Sequence, residues 1–236
     1  MKTLMTIVPT RGRNNNAIRL LEAVNATADL TDLCFAIDDD DTKTYADLMD
    51  RTAGLDNVKV VVAHQMGMSG TLNHWAKWFA PEYRYLGFLG DDHLPVTAGW
   101  DTLLANAIGD NAGIAYGNDL LQGENLPTAV VMSSTIIKTL GFMSPPALKH
   151  LFLDNFWLAI GKGLENANYL PDVIIEHLHY TNGKAEHDER YAAVNTAEMH
   201  NGDQLAFSEY MGEQFAKDIQ AINKQCKSSS PMTHTA

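Results

Sequence analysis

Residues 83–95 read YRYLGFLGDDHLP, and this stretch decides which fold the sequence predicts. Its first half is aromatic and aliphatic over a short span, as a buried β-strand requires. The run ends abruptly at Gly90, and two carboxylates (Asp91 and Asp92) and an imidazole (His93) follow. Adjacent carboxylates repel each other, so folding alone explains this cluster poorly. Ligands of open α/β sheets bind just outside the carboxyl ends of the strands, which is where this cluster falls.

The chemistry of the cluster suits a divalent cation. Carboxylate oxygens with one imidazole nitrogen are ligands for Mg²⁺ or Mn²⁺. A polar turn with a helix cap is the alternative, and an isolated Asp-Asp pair would favour it. The glycine before the pair and the metal-capable histidine after it favour the metal site. We therefore predict the active centre here, with Asp92 and His93 as metal ligands.

Strand-like and helix-like segments alternate on both sides of this stretch, which predicts an α/β fold with a mostly parallel, doubly wound sheet flanked by helices. Further strands are predicted at 3–8, 33–37, 58–63, 112–116, 128–132 and 169–179. Apolar side chains four residues apart predict an amphipathic C-terminal helix over 207–219. We expect a single domain over residues 1–226 and a disordered tail over 227–236. The polar segment 181–203 is expected to be a lid or a mobile loop.

Polar side chains follow the predicted strands where each one ends. Arg11 and Arg13 precede a helix, whose dipole they oppose, so either an anion docks there or both side chains point into solvent. Four aspartates occupy 38–41, and a helix cap accounts for one or two of them. Asp38 or Asp39, nearest the strand end, are candidates for hydrogen bonds to a ribose or base. Asn118 and Asp119 close another strand, and the convergence predicts one shared cleft.

Five more side chains are candidates for the same cleft. Ser69 is predicted to cap a helix over 71–79, and Asn73 lies in the first turn of that helix. Asp154 stands in an otherwise apolar segment, where it is either a helix N-cap or a working group with a raised pKa. His177 and His179 are two residues apart on one face of a strand. Either histidine would suffice as the third protein ligand of the metal.

Composition narrows the class of protein. The chain has 236 residues, 45% of them hydrophobic, which is enough to bury a full core. A formal net charge of −12 makes the chain a poor non-specific binder of nucleic acid. Its two cysteines build neither a disulfide framework nor a zinc site. With no apolar run as long as a signal peptide or a membrane span, the expected compartment is the cytoplasm.

The assembled motifs resemble the nucleotide-sugar glycosyltransferases of the GT-A fold, a Rossmann-like fold, and most closely the family 2-like group. The resemblance rests on residues 7–13 (IVPTRGR), Asp38-Asp39, residues 68–70 with Asn73, and the GDDH sequence where that fold carries its DxD motif. His93 takes the third position of that motif, so a strict DxD is absent. The sequence GDDHLP followed by Gly99-Trp100-Asp101 also resembles small bacteriophage-encoded glycosyltransferases.

The resemblance implies a metal-dependent hexosyltransferase-like enzyme that moves a sugar from a nucleotide-diphosphate donor to an acceptor hydroxyl, with Mn²⁺ or Mg²⁺ as cofactor. It implies that Asp154 is the base of an inverting reaction, and that Asp92 with His93, His177 or His179 holds the metal. Protein, small-molecule and modified-DNA acceptors all stay open, and a phage-encoded enzyme would act in the host cytoplasm. The implied donor-binding residues are Pro9, Thr10, Arg11, Arg13, Asp38, Asp39, Ser69, Asn73 and Asp91.

Three alternatives remain beside the transferase. A sugar nucleotidylyltransferase would use a similar sheet and metal, but it grips a triphosphate with a Gly-rich loop and a lysine. Residues 9–16 hold one glycine and no lysine. A non-catalytic nucleotide- or carbohydrate-binding module would use the same scaffold without turnover. A phosphohydrolase would need a second acidic cluster suited to two metals, which the sequence does not offer.

Overall fold

The structure is a computed structural model that describes residues 1–185, 192, 194 and 196–229. Within these residues, eight strands form one curled, mostly parallel sheet in the order β3-β2-β1-β4-β7-β6-β8-β5. The strands are β1 (Lys2–Thr10), β2 (Thr31–Asp38), β3 (Val58–Ala63), β4 (Tyr83–Phe88), β5 (His93–Pro95), β6 (Ile114–Asn118), β7 (Val130–Ser133) and β8 (Ala167–His177).

Helices cover both faces of the sheet, as the alternating pattern predicts. The α-helices are α1 (Asn14–Thr27), α2 (Ala46–Thr52), α3 (Gly67–Phe79), α4 (Trp100–Ile108), α5 (Ser134–Leu140), α6 (Leu153–Gly163), α7 (Ala197–Glu213) and α8 (Phe215–Ser229). Short 3-10 helices lie at Asp39–Tyr45, Gly123–Asn125 and Tyr180–Asn182. No helix in the described part of the chain is long and apolar enough to span a membrane.

The central strand β1 shows why the core has two halves. Successive side chains of a strand point to opposite faces. Leu4 and Val8 belong to one buried cluster, with α1 and α4, whereas Met5 and Ile7 belong to the other, with α3, α5 and α6. All four side chains are fully buried. A strand buried on both faces reads as a continuous apolar run, which is what the sequence shows here.

The parallel half of the sheet positions the site. Strand β1 pairs in parallel with both β2 and β4, so that Ile7 lies opposite Cys34 on one side and Phe88 on the other. The carboxyl ends of these three strands therefore meet at one edge of the sheet. Thr10, Asp38 and the GDDH sequence all lie at that edge, as the sequence predicts.

Strand β5 is not predicted from the sequence, in which the strand that begins at residue 83 ends at Gly90 and no strand follows directly. His93–Pro95 pairs antiparallel with β8, and His93 lies directly opposite His177. A three-residue segment carries no periodic signal of its own, so only its distant partner makes it a strand. Strand β8 also begins earlier than expected, at Ala167, and its ladder to β6 shifts register around Pro171, which a bulge accommodates. It ends at His177, so the expectation that His177 and His179 share one face of a strand is wrong.

The C-terminal region also differs in detail. The single helix expected over 207–219 is two helices, α7 and α8, which meet at Gln214. Helix α7 begins inside the segment expected to be a lid or loop, and residues 186–191, 193 and 195 of that segment lie outside the described residues. The tail expected from 227 starts within α8, which continues to Ser229, while 230–236 lie outside the described residues.

Candidate active site

A cleft of about 300 Å³ opens at the carboxyl ends of β1, β2 and β4. It gathers most of the predicted site residues, which come from segments up to 170 positions apart in the sequence. The predicted residues that line it are Pro9, Thr10, Arg11, Arg13, Asp38, Asp91, Asp92, His93, Asp154, His177 and His179. The cleft therefore collects predicted residues from the ends of β1, β2 and β4, whereas Asn118 and Asp119, at the end of β6, are not in its lining.

The turn from Gly90 to His93 requires a glycine at its first position. The backbone N–H of Gly90 donates to Nδ1 of His93 at 2.9 Å, and the N–H of His93 donates to the Gly90 carbonyl at 3.0 Å. A Cβ at position 90 would lie 2.6 Å from Oδ1 of Asp92 and 2.8 Å from Nδ1 of His93. The glycine thus allows two functional side chains to fold back over the backbone.

The two aspartates of this turn have opposite environments. Asp91 accepts the hydroxyl of Thr10 at 2.6 Å and lies 3.4 Å from Arg13 Nη1. Burial, together with the neighbouring charge of Asp92, raises the pKa of Asp91 to about 6. Burial also acts on Asp92, but the hydrogen bond from the His177 imidazole is the largest opposing effect, and the pKa of Asp92 lies well below its usual value. Asp92 is therefore the more acidic member of the pair.

Asp92, His93 and His177 can converge on one ion. Their ligand atoms all lie within 4.8 Å of one another. Asp92 Oδ1 is 3.4 Å from His93 Nδ1, and Asp92 Oδ2 is 3.5 Å from His177 Nε2. The two imidazole rings are stacked, with centroids 4.4 Å apart. His177 rather than His179 belongs to this cluster, and Nδ1 of His179 pairs with Thr181 at 2.8 Å.

This donor set fits a divalent cation. It combines an ionised carboxylate with imidazoles, and burial lowers the pKa of His93, so that this ring is neutral and offers a lone pair. The Nδ1 lone pair of His93 now accepts the Gly90 N–H, so coordination through Nδ1 requires the ion to displace that hydrogen bond. The three side chains would then supply one negative charge and three ligand atoms.

The arginines after β1 are ion-paired with the acids of the site. Arg11 lies 2.9 Å from Asp38 Oδ2, and its guanidinium also pairs with both oxygens of Asp40, at 2.5 and 2.8 Å. Arg13 lies 3.4 Å from Asp91 and 3.8 Å from Asp92. The alternative that both side chains point into solvent is wrong, because the side chains of Arg11 and Arg13 are only 28% and 14% exposed.

Asp154 lies in the first turn of α6 and lines the cleft. The N-cap of α6 is Phe152, so the alternative in which Asp154 caps the helix is wrong. Burial raises the pKa of Asp154 against the opposing hydrogen bond from the Asn155 N–H at 2.9 Å. A half-buried carboxylate with a raised pKa at the edge of a cleft can accept a proton from a bound hydroxyl.

Helix α7 supports the loop in front of Asp154. Asp203, which is 2% exposed, accepts the backbone N–H groups of 149–151 at 2.7 to 3.0 Å. Phe152 has a left-handed φ of +63°, which is rare for a bulky residue. Its ring stacks on Phe207 of α7, with centroids 5.6 Å apart. The sequence carries no local signal for this contact, because the partners lie about fifty residues apart.

Five residues predicted to face the cleft are not in its lining: Asp39, Ser69, Asn73, Asn118 and Asp119. Asp39 is exposed in the 3-10 helix after β2. Helix α3 begins at Gly67, so Ser69 does not cap it; instead its hydroxyl is 2.8 Å from that of Ser144. The Asn73 amide donates to the Ser144 carbonyl at 2.9 Å and accepts the N–H groups of 143 and 144. Ser69 and Asn73 thus hold the 143–145 loop rather than a ligand.

The cleft also contains residues that sequence reasoning missed. Thr128 sits between β6 and β7, within 3.4 Å of His93 Nε2, although 35 positions separate the two residues. Other missed lining residues lie in helix α3, are apolar, or lie in a loop without a recognisable motif; they include Gly67, Thr71, Phe88, His150, Leu151, Phe152 and Trp157. Only the length and apolar character of 151–160 hinted that this segment faces a cavity.

No protein-family model matches this chain, and no curated protein matches its sequence. Solved structures do share its fold. S. aureus TarS 1-349 in complex with UDP is 14% identical, with a TM-score of 0.59 over 91% of this chain and 73% of that chain. The same protein with UDP-GlcNAc is 15% identical, with a TM-score of 0.54 over 86% of this chain and 70% of that chain.

A second relative in structure is the mannosyltransferase PcManGT from Pyrobaculum calidifontis, in complex with GDP-Man and Mn²⁺. It is 14% identical, with a TM-score of 0.56 over 96% of this chain and 75% of that chain. At such low identity these similarities establish the fold alone. The chain therefore has the mixed α/β architecture of the GT-A proteins, with a mostly parallel sheet between helices, as the sequence predicts.

Proposed function

We propose that this protein is a divalent-metal-dependent glycosyltransferase that moves a sugar from a nucleoside-diphosphate donor to an acceptor hydroxyl. The observation that carries the proposal is the convergence of a three-residue metal-ligand cluster and a carboxylate of raised pKa in one cleft. Structures of the same fold that hold UDP, UDP-GlcNAc, or GDP-Man with Mn²⁺ support it. The proposed class is therefore a nucleotide-sugar transferase. Experiments must identify the nucleobase of the donor and the sugar that is transferred.

The donor end of the cleft lies at the carboxyl ends of β1 and β2. Pro9, Thr10 and Asp38 line it, and Arg11 holds Asp38 in place through a 2.9 Å ion pair. Asp38 can accept a hydrogen bond from a ribose hydroxyl, as an acid at this strand end does in other nucleotide-binding sheets. Asp91 is restrained by Thr10 and Arg13 and contributes a second acceptor beside the sugar. The acceptors on Asp38 and Asp91 would bind the donor, but they would not neutralise the negative charge of its diphosphate.

Asp92, His93 and His177 would hold the divalent cation, Mn²⁺ or Mg²⁺. When bound, the cation supplies positive charge that stabilises the nucleoside diphosphate as it leaves. The protein's part is to keep the ligands in position: Asp92 and His93 are 9% and 2% exposed, and the pairing of His93 with His177 across β5 and β8 sets the distance between the two rings.

Asp154 is proposed as the base of an inverting reaction. Its carboxylate would take the proton of the acceptor hydroxyl while that oxygen bonds to the anomeric carbon of the sugar. The bond from the anomeric carbon to the diphosphate oxygen breaks in the same step, and the diphosphate keeps the electron pair. Because burial raises the pKa of Asp154, its carboxylate is a stronger base than an exposed one.

A thermal-shift panel tests the donor and the metal together. UDP-, GDP-, ADP- and CMP-sugars are each combined with Mn²⁺, Mg²⁺ or EDTA, since a ligand that binds only the folded state raises its stability. We expect a shift with one nucleotide that EDTA removes. A shift that persists in EDTA would contradict the metal-dependent site.

Two variants separate binding from chemistry. Asp92→Ala is expected to lose the metal-dependent donor shift, whereas Asp154→Asn is expected to keep it and to lose nucleotide release from the donor. Asp56→Asn, an exposed substitution with the same change in charge, is the control. Normal nucleotide release by Asp154→Asn would refute Asp154 as base. Donor binding without release in the unmodified protein would favour a non-catalytic binding module.

A further inference from the structure

Two polar residues lie behind the histidine pair, on the side away from Asp92. Asp119 directly follows β6 and is 2% exposed, and Thr128 precedes β7. The Thr128 hydroxyl donates to Asp119 Oδ2 at 2.7 Å. Thr128 Oγ1 is 3.4 Å from His93 Nε2, and Asp119 Oδ2 is 3.9 Å from His177 Nδ1. A single carboxylate oxygen therefore faces both imidazoles, one directly and one through a hydroxyl.

The directions of these hydrogen bonds determine the tautomer of His93. The one proton of the Thr128 hydroxyl is used on Asp119, because a carboxylate can only accept. Thr128 Oγ1 must then accept from His93, which places the ring proton on Nε2. A separate contact agrees: His93 Nδ1 accepts the Gly90 N–H at 2.9 Å, so Nδ1 carries no proton. The lone pair of His93 thus faces Asp92.

His177 is held in a similar way from the other side. Its Nδ1 is buried and has no hydrogen-bond partner among the described residues, and the Asp119 carboxylate is the acceptor that faces it. The backbone N–H of His177 also donates to the Asp119 carbonyl at 2.9 Å, which fixes the end of β8 against Asp119. Asp92 competes for the ring proton at Nε2 until a cation occupies the site. A cation beside Asp92 leaves only Nδ1 to carry the proton.

We propose that Asp119 is a positioning residue that, directly and through Thr128, turns an unprotonated nitrogen of both His177 and His93 towards the metal site. The proposal rests on the proposed metal-dependent function. Metal-binding histidines commonly donate their second N–H to a carboxylate or a carbonyl, and loss of that partner typically costs 10- to 100-fold in metal affinity. Asp119 is itself oriented, because its Oδ1 accepts the backbone N–H groups of 121–123 at 2.7 to 2.9 Å.

Asp119→Asn and Thr128→Val test the proposal. The asparagine keeps one oxygen but presents an NH₂ group to both partners, which favours the wrong tautomer of each histidine, as happens when a histidine's orienting aspartate is amidated. Thr128→Val keeps the shape of the side chain and the Asp119 turn, and it removes only the link to His93. It therefore remains informative if Asp119→Asn does not fold. Asp56→Asn is the charge-matched surface control.

Two measurements are made on the full chain at pH 8. Electron paramagnetic resonance measures the concentration of free Mn²⁺ and so gives the Mn²⁺ affinity of the protein without nucleotide. We expect the Mn²⁺ affinity to fall 10- to 100-fold in Asp119→Asn and about 10-fold in Thr128→Val. We expect the control to keep the affinity of the unmodified protein. Long-range ¹H–¹⁵N spectra report which ring nitrogen is protonated. We expect Nε2–H on His93 in the metal-free protein and Nδ1–H on His177 with Zn²⁺ as diamagnetic probe.

The outcomes separate this proposal from the proposed function. Wild-type Mn²⁺ affinity and unchanged histidine spectra in Asp119→Asn would overturn the positioning role, as would Nδ1–H on metal-free His93. Failure of the unmodified protein to bind Mn²⁺ would instead overturn the metal-dependent function. In that case Nε2–H on His93 would still support the hydrogen-bond chain from Asp119, because that spectrum needs no metal.

Discussion

Substituting alanine for Gly90 is expected to damage the metal site while leaving the fold intact. The added Cβ would lie 2.6 Å from Asp92 Oδ1 and 2.8 Å from His93 Nδ1. Ordinary contacts of a Cβ begin at 3.4 Å, so the Asp92 oxygen must move by about 0.8 Å, or by about 0.4 Å to reach even the 3.0 Å limit. Gly90 is not among the glycines of positive φ, so alanine meets no backbone strain there.

The size of the effect follows from the precision that a site requires. Functional groups must be held within about 0.5 Å of their working geometry, and a misplacement of about 1 Å costs roughly 100-fold. A shift of both ligands of the size required here is expected to weaken Mn²⁺ binding by roughly 10- to 100-fold, or about 1.4 to 2.8 kcal/mol. The assay is an EPR titration of free Mn²⁺ against Gly90→Ala and the unmodified protein.

Gly212→Ala is the matched control. Gly212 lies in α7, and a Cβ there would meet nothing within 4 Å. Alanine is favoured over glycine in helices by about 1 kcal/mol, so this variant is expected to be as stable as the unmodified protein or more so, with unchanged Mn²⁺ affinity. Wild-type Mn²⁺ affinity in Gly90→Ala would show that the side chains of Asp92 and His93 do not hold the ion, and would contradict the proposed metal site.

Three substitutions of aspartates, two of them buried and Asp154 half-buried, give further expectations. Burial raises the folded-state pKa of Asp154, so its charge destabilises the fold above that pKa and the penalty disappears as the pH falls below the unfolded value. Asp154→Asn is therefore expected to have a higher melting temperature than the unmodified protein at pH 8. The difference in melting temperature is expected to shrink towards pH 4 in a calorimetric pH series. A difference that stays constant with pH would contradict this. Asp203→Asn weakens the charge-assisted bonds to 149–151, and urea unfolding is expected to show a loss of roughly 2 kcal/mol. Asp101→Asn is expected to lose roughly 3 kcal/mol in the same assay, because the fully buried Asp101 carboxylate accepts the N–H groups of 29–31; unchanged midpoints would refute both estimates.

The clustering of polar residues at the strand ends can be predicted from the sequence, because the sheet is parallel where the site lies. A parallel pair requires a crossover, so strands separated by helices deliver their carboxyl ends to the same edge. Once residues 3–8, 33–37 and 83–89 are assigned as strands, Thr10, Asp38 and Asp92 must lie near one another. The position of Asp154 in a first helical turn also follows from the apolar segment around it.

The remaining features depend on contacts between distant segments. The strand over His93–Pro95 exists only because β8 pairs with it, and that pairing brings His177 rather than His179 to Asp92. The pairing of Arg11 with Asp38 and Asp40 depends on the register of β1 on β2. No local pattern distinguishes a polar side chain that holds a loop from one that faces a ligand, and the sequence therefore predicts Ser69 and Asn73 in the cleft, where the structure does not place them.

The most direct test of the metal-dependent site is a crystal structure of the protein with Mn²⁺ and the nucleotide that gives a thermal shift, with data collected at a wavelength where manganese scatters anomalously. We expect one anomalous peak bonded to Asp92, Nδ1 of His93 and Nε2 of His177, with diphosphate oxygens completing its coordination. A peak bonded elsewhere, or bound nucleotide with no peak between these side chains, would contradict it.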